Sequence, residues 1–341
     1  MGYRTQFSYG PEQGGKPDVG KLVCLSIFAA CISQAAGASE QAVPYPAKTI
    51  RILVGYPPGG GTDILARVVA NGLTEMLGQP VVVENRPGAS AVLASELAAR
   101  AAPDGYTLVM VTATHAINPA TFWKLPFDPV RDFTPTAFAA AVPNVLLVHP
   151  SLPVRSVKEL VAFARSRPGQ LNYGGTGNSS PYRVAAEMFK LMTHTDIVHV
   201  PYRGAAPALT ALLSGEISIM FGNVVSAVAY VKSGRIRALG LTGTARLAAL
   251  PDLPTISEAG VPGYSFMSWF GVLGPSGIPR DRVQRLNQSI SAVLSAPGVR
   301  DRLAGEGAEV QSMTPEAFGE FISRELAKMA QVVKAGGITP D

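Results

Sequence analysis

Residues 51–70 read RILVGYPPGGGTDILARVVA, and this stretch is the strongest indicator of the fold. Apolar residues 52–54 lead into the prolines and glycines of 57–61, and apolar residues then recur at helical spacing. The pattern predicts a strand, a tight loop and a helix. The glycines have no side chain that would block a ligand, and Thr62 or Asp63 is suited to cap the helix. The free N–H groups of the first helical turn favour binding of an anion. The loop is therefore a candidate carboxylate site, with a simple tight turn as the alternative.

The same strand, loop and helix pattern recurs along the chain. Apolar runs at 81–83 and 106–111 are each followed by a polar loop, at 84–90 and 112–115. Strands that alternate with helices predict a parallel α/β sheet whose loops gather at the carboxyl ends of the strands. Further strands are predicted at 171–173, 197–200, 216–221 and 236–241, helices at 182–192, 207–213, 224–231, 280–294 and 315–333, and an irregular connection at 118–135.

Two extended segments, near 145–148 and 265–273, predict that the chain crosses twice between two lobes. A two-crossing hinge places the first and last segments of the chain in one lobe and the middle segment in the other. The sequence thus predicts one discontinuous lobe of residues 39–145 plus 268–341, and a second lobe of residues 146–267.

The N-terminus has the features of a secretory signal peptide over residues 1–38. Lys16 and Lys21 precede an apolar run at 22–30, and small residues follow at 36–38. This run is too short to span a membrane. The sequence therefore predicts export, with acylation of Cys31 as a lipoprotein anchor a minor alternative.

Composition narrows the class of protein. The chain has 341 residues, of which 47% are hydrophobic and 16% charged, which is typical of a compact globular protein. Its two cysteines, Cys24 and Cys31, both fall in the predicted signal peptide, so the mature chain has no disulfide, thiol nucleophile or thiolate metal site. Removing residues 1–38 leaves 26 basic and 22 acidic side chains. Because no dense basic block accompanies this surplus, it favours acidic small molecules over nucleic acid.

Motifs for cofactors and for catalysis are incomplete. Gly175, Gly177 and Ser180 resemble half a dinucleotide fingerprint, but the acidic Asp196 precedes the next strand instead of following it. A phosphate loop requires a lysine directly after its last glycine, and Gly61 is followed by Thr62 instead. The sequence contains no G-x-S-x-G elbow, and its histidines lack the spacing of a hydrolytic zinc site. We therefore predict no cofactor, no metal and no enzymatic activity.

Side chains beside the glycine-rich loops are candidates for ligand contact. His115 follows a predicted strand and could donate a hydrogen bond to an acid. Tyr56, Tyr182, Tyr202 and Trp269 could line a pocket, although aromatic side chains are more often part of the core.

Seven motifs in order carry a resemblance to a known family. They are YPPGGGTD (56–63), VENRPGA (83–89), APDGYTL (102–108), LPFDP (125–129), HVPYRG (199–204), LPDLPT (250–255) and EAG (258–260). Over about residues 45–338 the sequence resembles the Bug family, the periplasmic solute receptors of tripartite tricarboxylate transporters.

The resemblance implies a type II periplasmic-binding-protein fold, in which two doubly wound α/β lobes close around a ligand by hinge motion. It also implies that the loops at 59–63 and 176–180 grip one carboxylate through backbone groups and water, that the loop at 112–115 contributes, and that other side chains set specificity. The implied ligand-binding residues are Tyr56, Gly60, Gly61, Thr62, Asp63, Thr112, Thr114, His115, Thr176, Gly177, Asn178, Ser179, Tyr182, Tyr202, Asn223 and Trp269.

Two departures from the family pattern concern the far end of the ligand. Ser90 and Ala91 stand where a glycine pair is expected, and Pro181-Tyr182-Arg183 stands where serine and histidine are more usual. Tyr182 would either favour an aromatic acid by stacking or make the pocket smaller.

The resulting hypothesis is a monomeric, non-enzymatic periplasmic receptor. It captures a di- or tricarboxylate or an aromatic carboxylate and delivers it to the membrane permease of a tripartite tricarboxylate transporter. The alternatives are a ligand-sensing partner of a two-component sensor kinase and a periplasmic hydrolase.

Overall fold

The computed structural model describes residues 1–11, 14, 44–175, 177–202, 204–248, 250–305 and 307–339. The chain divides into two compact units, Met1–Pro44 and Tyr45–Asp341, and the fold described here is that of the second unit. Most of the predicted signal peptide, including Cys24 and Cys31, lies outside the described residues.

Strands and helices alternate through this unit. The strands are β1 (Ile50–Val54), β2 (Val81–Asn85), β3 (Thr107–Thr112), β4 (Phe133–Val148), β5 (Leu171–Gly175), β6 (Ile197–Pro201), β7 (Ile219–Asn223), β8 (Arg237–Leu241) and β9 (Met267–Pro275). The helices are α1 (Gly61–Leu77), α2 (Val92–Ala99), α3 (Thr114–Thr121), α4 (Val157–Arg165), α5 (Pro181–Thr193), α6 (Ala205–Ser214), α7 (Val224–Lys232), α8 (Arg280–Ser295), α9 (Pro297–Gly305) and α10 (Pro315–Ala335).

Two parallel units of the same topology make up most of the sheet, whose order is β2-β1-β3-β9-β4-β7-β5-β6, with β8 paired to β4. In the first unit, β1 lies between β2 and β3 and is parallel to both. In the second unit, β5 lies in the same way between β6 and β7. Each unit has a strand, a glycine-rich loop and a helix in the same order, which confirms the recurrence predicted from the sequence.

Two long antiparallel strands, β4 and β9, connect these units. The first part of β4 pairs with β9 as far as Pro143, and from Asn144 onward β4 pairs with β7 and β8 instead. The β4 crossing therefore begins at Phe133, well before the short strand predicted at 145–148. At the change of partner, Asn144 N–H donates to Thr242 Oγ1 and the Asn144 carbonyl accepts from Thr242 N–H.

Local sequence explains how the helices begin and end. At the start of α4, the Ser156 hydroxyl accepts a hydrogen bond from Glu159 N–H, as a capping box requires. Helix α1 ends at Gly78, whose φ of 66° is left-handed and suits glycine. None of the helices in the described part of the chain combines the length and apolarity needed to cross a bilayer.

Helix α3 replaces the end of the polar loop predicted for 112–115 and the start of the irregular connection predicted for 118–135, whose last residues belong to β4. Those expectations were wrong over 114–115, 118–121 and 133–135. The sequence does not show the apolar periodicity of a helix here, because several buried residues of this short helix are polar and Pro119 lies inside it. Asn118 donates to the Ser90 carbonyl, and the Thr121 hydroxyl contacts that of Ser179 at 2.7 Å. Tertiary hydrogen bonds thus satisfy side chains that normally signal a loop.

Candidate functional site

A cavity of about 910 Å³ lies where the loops of the two parallel units face each other across β4 and β9. Its size is within the range of small-molecule sites. The predicted residues that line it are Tyr56, Gly60, Gly61, Thr62, Thr112, Thr114, Gly177, Ser179, Tyr182 and Asn223. The structure therefore brings ten of the sixteen predicted residues to one cavity, and their contact with a ligand stays a prediction.

The glycine loop presents the N-terminus of α1 to this cavity. Gly59 has a left-handed φ of 85°, and Gly60 is the extended N-cap, without any side-chain cap. The first intrahelical bond runs from Ile64 N–H to the Gly60 carbonyl, so the amides of Gly61 and Thr62 precede the helical ladder. The wall formed by Gly61 and Thr62 thus carries backbone N–H groups and the positive end of the helix dipole.

Asp63 holds this loop in place from behind. Its carboxylate accepts hydrogen bonds from Gly59 N–H (2.9 Å), Arg67 Nε (2.9 Å) and Asn85 Nδ2 (2.9 Å). The Arg67 guanidinium, followed by the Gly59 and Asn85 donors, lowers the pKa of Asp63 to about 2 against the opposing effect of desolvation. Asp63 does not line the cavity and is committed to the loop, a role different from the ligand contact or helix cap predicted for it.

Three hydroxyl groups form a cluster beside the glycine loop. Tyr56 Oη lies 3.1 Å from Thr112 Oγ1 and 2.8 Å from Thr114 Oγ1, and the two threonine oxygens are 2.8 Å apart. Burial raises the pKa of Tyr56, so its hydroxyl stays protonated at neutral pH. Each hydroxyl has one proton and two lone pairs, so the cluster can turn one donor toward a ligand oxygen.

The second glycine-rich loop and the start of α5 form the opposite wall. Gly177, Ser179, Ser180 and Tyr182 line the cavity, and Ser180 is the N-cap of α5 without capping it through its side chain. The buried Ser180 hydroxyl has no hydrogen-bond partner, whereas that of Ser179 contacts Thr121. The N-termini of α1 and α5 therefore face one cavity, and the start of α6 at Gly204, Ala205 and Ala206 lines it as well. Thr176, also predicted here, lies outside the described residues.

Four predicted residues besides Asp63 are placed away from the cavity. His115 is buried against Phe127 and Phe133, donates from Nε2 to the Pro129 carbonyl at 2.9 Å, and has a pKa that burial lowers to about 4. Trp269 is 1% exposed and packs edge-on against two phenylalanines of α10. His115 lies in the first turn of the helix after β3 and Trp269 lies within β9, and both rings pack into the core and do not line the cavity.

Tyr202 and Asn178 also have other partners. The Tyr202 hydroxyl donates to Glu216 Oε1 at 2.7 Å, and burial raises its pKa to about 12. Asn178 Nδ2 donates to the Thr339 carbonyl at 3.1 Å, which ties the second glycine-rich loop to the end of the chain. The structure does not bring either side chain to the cavity.

Residues of β4 and β9 line the cavity and were missed by the sequence analysis, as were Gly204, Ala205, Ala206 and Pro207 at the start of α6. Val142 and Asn144 from β4 lie with Ser268 and Phe270 from β9. Asn144 is buried, its Nδ2 has no partner, and its Oδ1 accepts a long hydrogen bond (3.4 Å) from the Ser268 hydroxyl. A single amide within the otherwise apolar run of residues 137–148 was the available signal.

Ser90 lines the cavity through an unusual backbone path. Ala89, Ser90 and Ala91 all have left-handed φ angles, of 44°, 53° and 70°. This turn lies close to Gly55, and a Cβ atom on residue 55 would be only 2.2 Å from the Ala91 Cβ. Gly55 is therefore needed for this approach, and Ser90 occupies a place where family resemblance led us to expect glycine.

An α/β chain with two parallel units, two connecting strands and a cleft lined by helix N-termini is a solute receptor of the type II periplasmic-binding-protein class. The chain belongs to the TctC family, described as the tripartite tricarboxylate transporter family receptor, whose model matches residues 65–338. The resemblance to Bug receptors and the predicted fold class are thereby confirmed. Receptors of this family are non-enzymatic, which also supports the expectation of no catalysis.

Three relatives show the extent of the similarity. BugT of Bordetella pertussis is 34% identical over 93% of this chain and 97% of its own. The structure titled R. palustris Rpa4515 with adipate is 38% identical, with a TM-score of 0.77 over 87% of this chain and 100% of that one. MatC from Rhodopseudomonas palustris with bound malate is 33% identical, with a TM-score of 0.73 over 85% of this chain and 100% of that one.

Proposed function

We propose that this chain captures a small organic carboxylate in the cleft and delivers it to the membrane permease of a tripartite tricarboxylate transporter. The observation that carries the proposal is that two helix N-termini and a cluster of hydroxyl groups face a cavity with no acidic side chain among its described lining residues. Such a wall stabilises a carboxylate without a cation. The adipate and malate bound to two relatives are consistent with this ligand class.

Capture requires the cleft to close, and we propose that it closes between lobes of residues 39–145 plus 268–341 and 146–267. The change of strand partner after Pro143 gives a place for β4 to bend. Closure would bring the loop at Gly177 toward that at Gly61 and exclude water, which strengthens hydrogen bonds to the carboxylate. Export by the segment 1–38 and action as a monomer are part of the same proposal.

A thermal unfolding experiment tests the binding step. The mature chain is unfolded, refolded to remove bound ligand, and heated with mono-, di- and tricarboxylates, and with amides and nucleotides as controls. A ligand at ~100 times its Kd adds roughly 2.7 kcal/mol of stability, so the melting temperature should rise with selected carboxylates alone. A shift with amides or nucleotides and none with acids would contradict the proposal.

Uptake in cells tests delivery. A strain that lacks this gene should lose uptake of the identified acid, and the wild-type gene should restore it. Restoration by a variant that no longer binds the acid would contradict the proposed role.

Replacing Tyr56 with phenylalanine tests the hydroxyl cluster. The change removes one hydroxyl from the three and leaves the ring in place, so affinity for the acid should fall about tenfold, equivalent to ~1.4 kcal/mol. Isothermal titration calorimetry gives the Kd. Tyr230, which lies on α7 and does not line the cavity, provides the control substitution Tyr230→Phe. An equal effect of both substitutions would show that the cluster does not contribute to binding.

A further inference from the structure

An asparagine side chain ties the second glycine-rich loop to two other elements. Asn178 lies in this loop between Gly177 and Ser179, which both line the cleft. Its Nδ2 donates to the Thr339 carbonyl at 3.1 Å, and its Oδ1 accepts a hydrogen bond from Nη1 of Arg183. Both ends of the amide are therefore bonded to residues outside the loop. We call Arg183, Asn178 and Thr339 the loop clamp.

The two partners of this amide are themselves held by the fold. The clamp arginine lies on α5, which begins directly after the loop. Thr339 follows Ile338, which is buried in the hydrophobic core. A Cβ atom on residue 336 would be only 3.1 Å from the Glu187 Cβ, so the segment 336–339 begins directly against α5. These contacts join the segment to the second of the proposed lobes, although its place in the sequence assigns it to the first.

Another contact of the loop crosses the cleft. The Ser179 hydroxyl contacts that of Thr121 on α3 at 2.7 Å. Under the proposed lobe boundaries α3 and the loop belong to different lobes, so opening of the cleft would break this contact. The hydrogen bond between Arg183 and Asn178 lies within the second lobe and would be retained. The clamp is therefore suited to hold the loop while the cleft is open.

We propose that Asn178 and Arg183 are positioning residues for carboxylate capture, which hold the second glycine-rich loop in its ligand-binding conformation before the acid arrives. This inference rests on the proposed carboxylate-binding function and adds a mechanism to it. A loop that the acid itself must order lowers the apparent affinity by the fraction of time for which the loop is competent to bind. The clamp removes this loss, although neither side chain lines the cleft.

The substitution Asn178→Ala removes both hydrogen bonds of the clamp. Ser180 N–H donates to the Gly177 carbonyl at 3.0 Å, so hydrogen exchange at the Ser180 amide, measured by NMR, reports the order of the loop. Without ligand, this exchange should be at least tenfold faster in the variant than in the wild type. Titration calorimetry with adipate and with malate should give Kd values about tenfold higher, because the loop is competent for about one tenth of the time.

The matched control is Asn172→Ala. Asn172 is also half-buried, and its amide is also bonded at both ends: Nδ2 donates to the Glu216 carbonyl at 3.4 Å, and Oδ1 accepts from Ser218 N–H at 2.7 Å. It lies on β5 and does not line the cleft. The control should lower the melting temperature at least as much as Asn178→Ala, yet leave Ser180 exchange and both Kd values unchanged. Loss of stability alone is thereby separated from loss of positioning.

A double-mutant cycle tests the part played by Arg183. Arg183→Met removes the guanidinium and nearly keeps the length of the side chain, so it should raise the Kd about fivefold. Because Arg183 is proposed to act through Asn178, the double variant should bind the acids no more weakly than Asn178→Ala alone. Additive losses would show that Arg183 acts on the acid by another route and would remove it from the clamp.

The remaining outcomes separate the clamp from the receptor function. Wild-type exchange or a wild-type Kd in Asn178→Ala would overturn the clamp while the carboxylate receptor stands. A higher Kd with unchanged exchange would indicate direct contact of Asn178 with the acid, which also overturns the positioning role. If neither these acids nor any other acid of the unfolding panel binds the wild-type chain, the proposed function itself fails, and the inference falls with it.

Discussion

Replacing Gly61 with aspartate should weaken binding of the acid by at least ~100-fold, or about 2.7 kcal/mol. Gly61 begins α1 and lines the cleft, and a Cβ at this position would meet no atom within 4 Å. Its φ is not left-handed, so a side chain is compatible with the backbone. The new carboxylate would occupy the anion position and repel the ligand, while an acidic residue in the first turn leaves the helix itself stable.

The control is Gly61→Asn, which adds a side chain of nearly the same size without the charge. Calorimetric titration of both variants separates repulsion from obstruction, and we expect the asparagine variant to retain at least ten times more affinity than the aspartate variant. Unfolding curves measured without ligand should be similar for the two. Wild-type affinity in Gly61→Asp would show that the carboxylate does not bind at this helix.

The Asp63→Asn substitution should lower the free energy of unfolding by about 2–3 kcal/mol, because it removes the negative charge and one of the two buried acceptor oxygens that serve three donors. The amide nitrogen would replace one of the two carboxylate oxygens and would face donors there: Gly59 N–H and Arg67 Nε if it takes the place of Oδ2, or Asn85 Nδ2 if it takes the place of Oδ1. Denaturant unfolding at pH 7 measures the change. The control is Glu320→Gln. Glu320 also pairs with an arginine four residues away, Arg324, but its side chain is 74% exposed, so the expected loss of unfolding free energy is below ~0.5 kcal/mol.

The same comparison has a defined pH dependence. The pKa of Asp63 is lowered from 3.8 to about 2, so its ionised form stabilises the folded chain above pH 4. That stabilisation is lost as the pH falls from about 4 toward 2, where the native carboxyl becomes protonated. The difference in stability between wild type and Asp63→Asn should therefore shrink over this interval. A difference that is constant down to pH 2 would show that the charge of Asp63 is not responsible.

The main elements of the fold could be predicted because they depend on local pattern. The glycines at 59–61 between an apolar strand and a helical repeat, and Ser156 with Glu159, have the same meaning in any globular protein. Helix α3 could not be read in this way because Asn118 and Thr121 make hydrogen bonds to residues distant in sequence. Its polar side chains resemble those of a loop until their partners are known.

In the candidate site, too, the positions of the loops could be predicted from the sequence, whereas the directions of individual side chains could not. The loop at Gly60 and Gly61 could be assigned to the cleft because a loop that follows a parallel strand must lie at the carboxyl edge of the sheet. The resemblance to the Bug family added the loop at Gly177. Which way a side chain turns depends on its neighbours. Asp63 lies in the same loop as Gly61, yet Arg67 and Asn85 direct it away from the ligand.

Sequence pattern was therefore sufficient for the alternation of strands and helices, the two glycine-rich loops and the family resemblance, because these depend on neighbouring residues. Tertiary packing was needed to place Trp269 in the core with α10 and Asn144 beside Ser268 in the cleft, since these contacts join residues more than 40 positions apart. A second cavity lined in part by Ile64, Leu209 and Met220 was also invisible in the sequence, because these residues come from three separate elements and meet only in the folded chain.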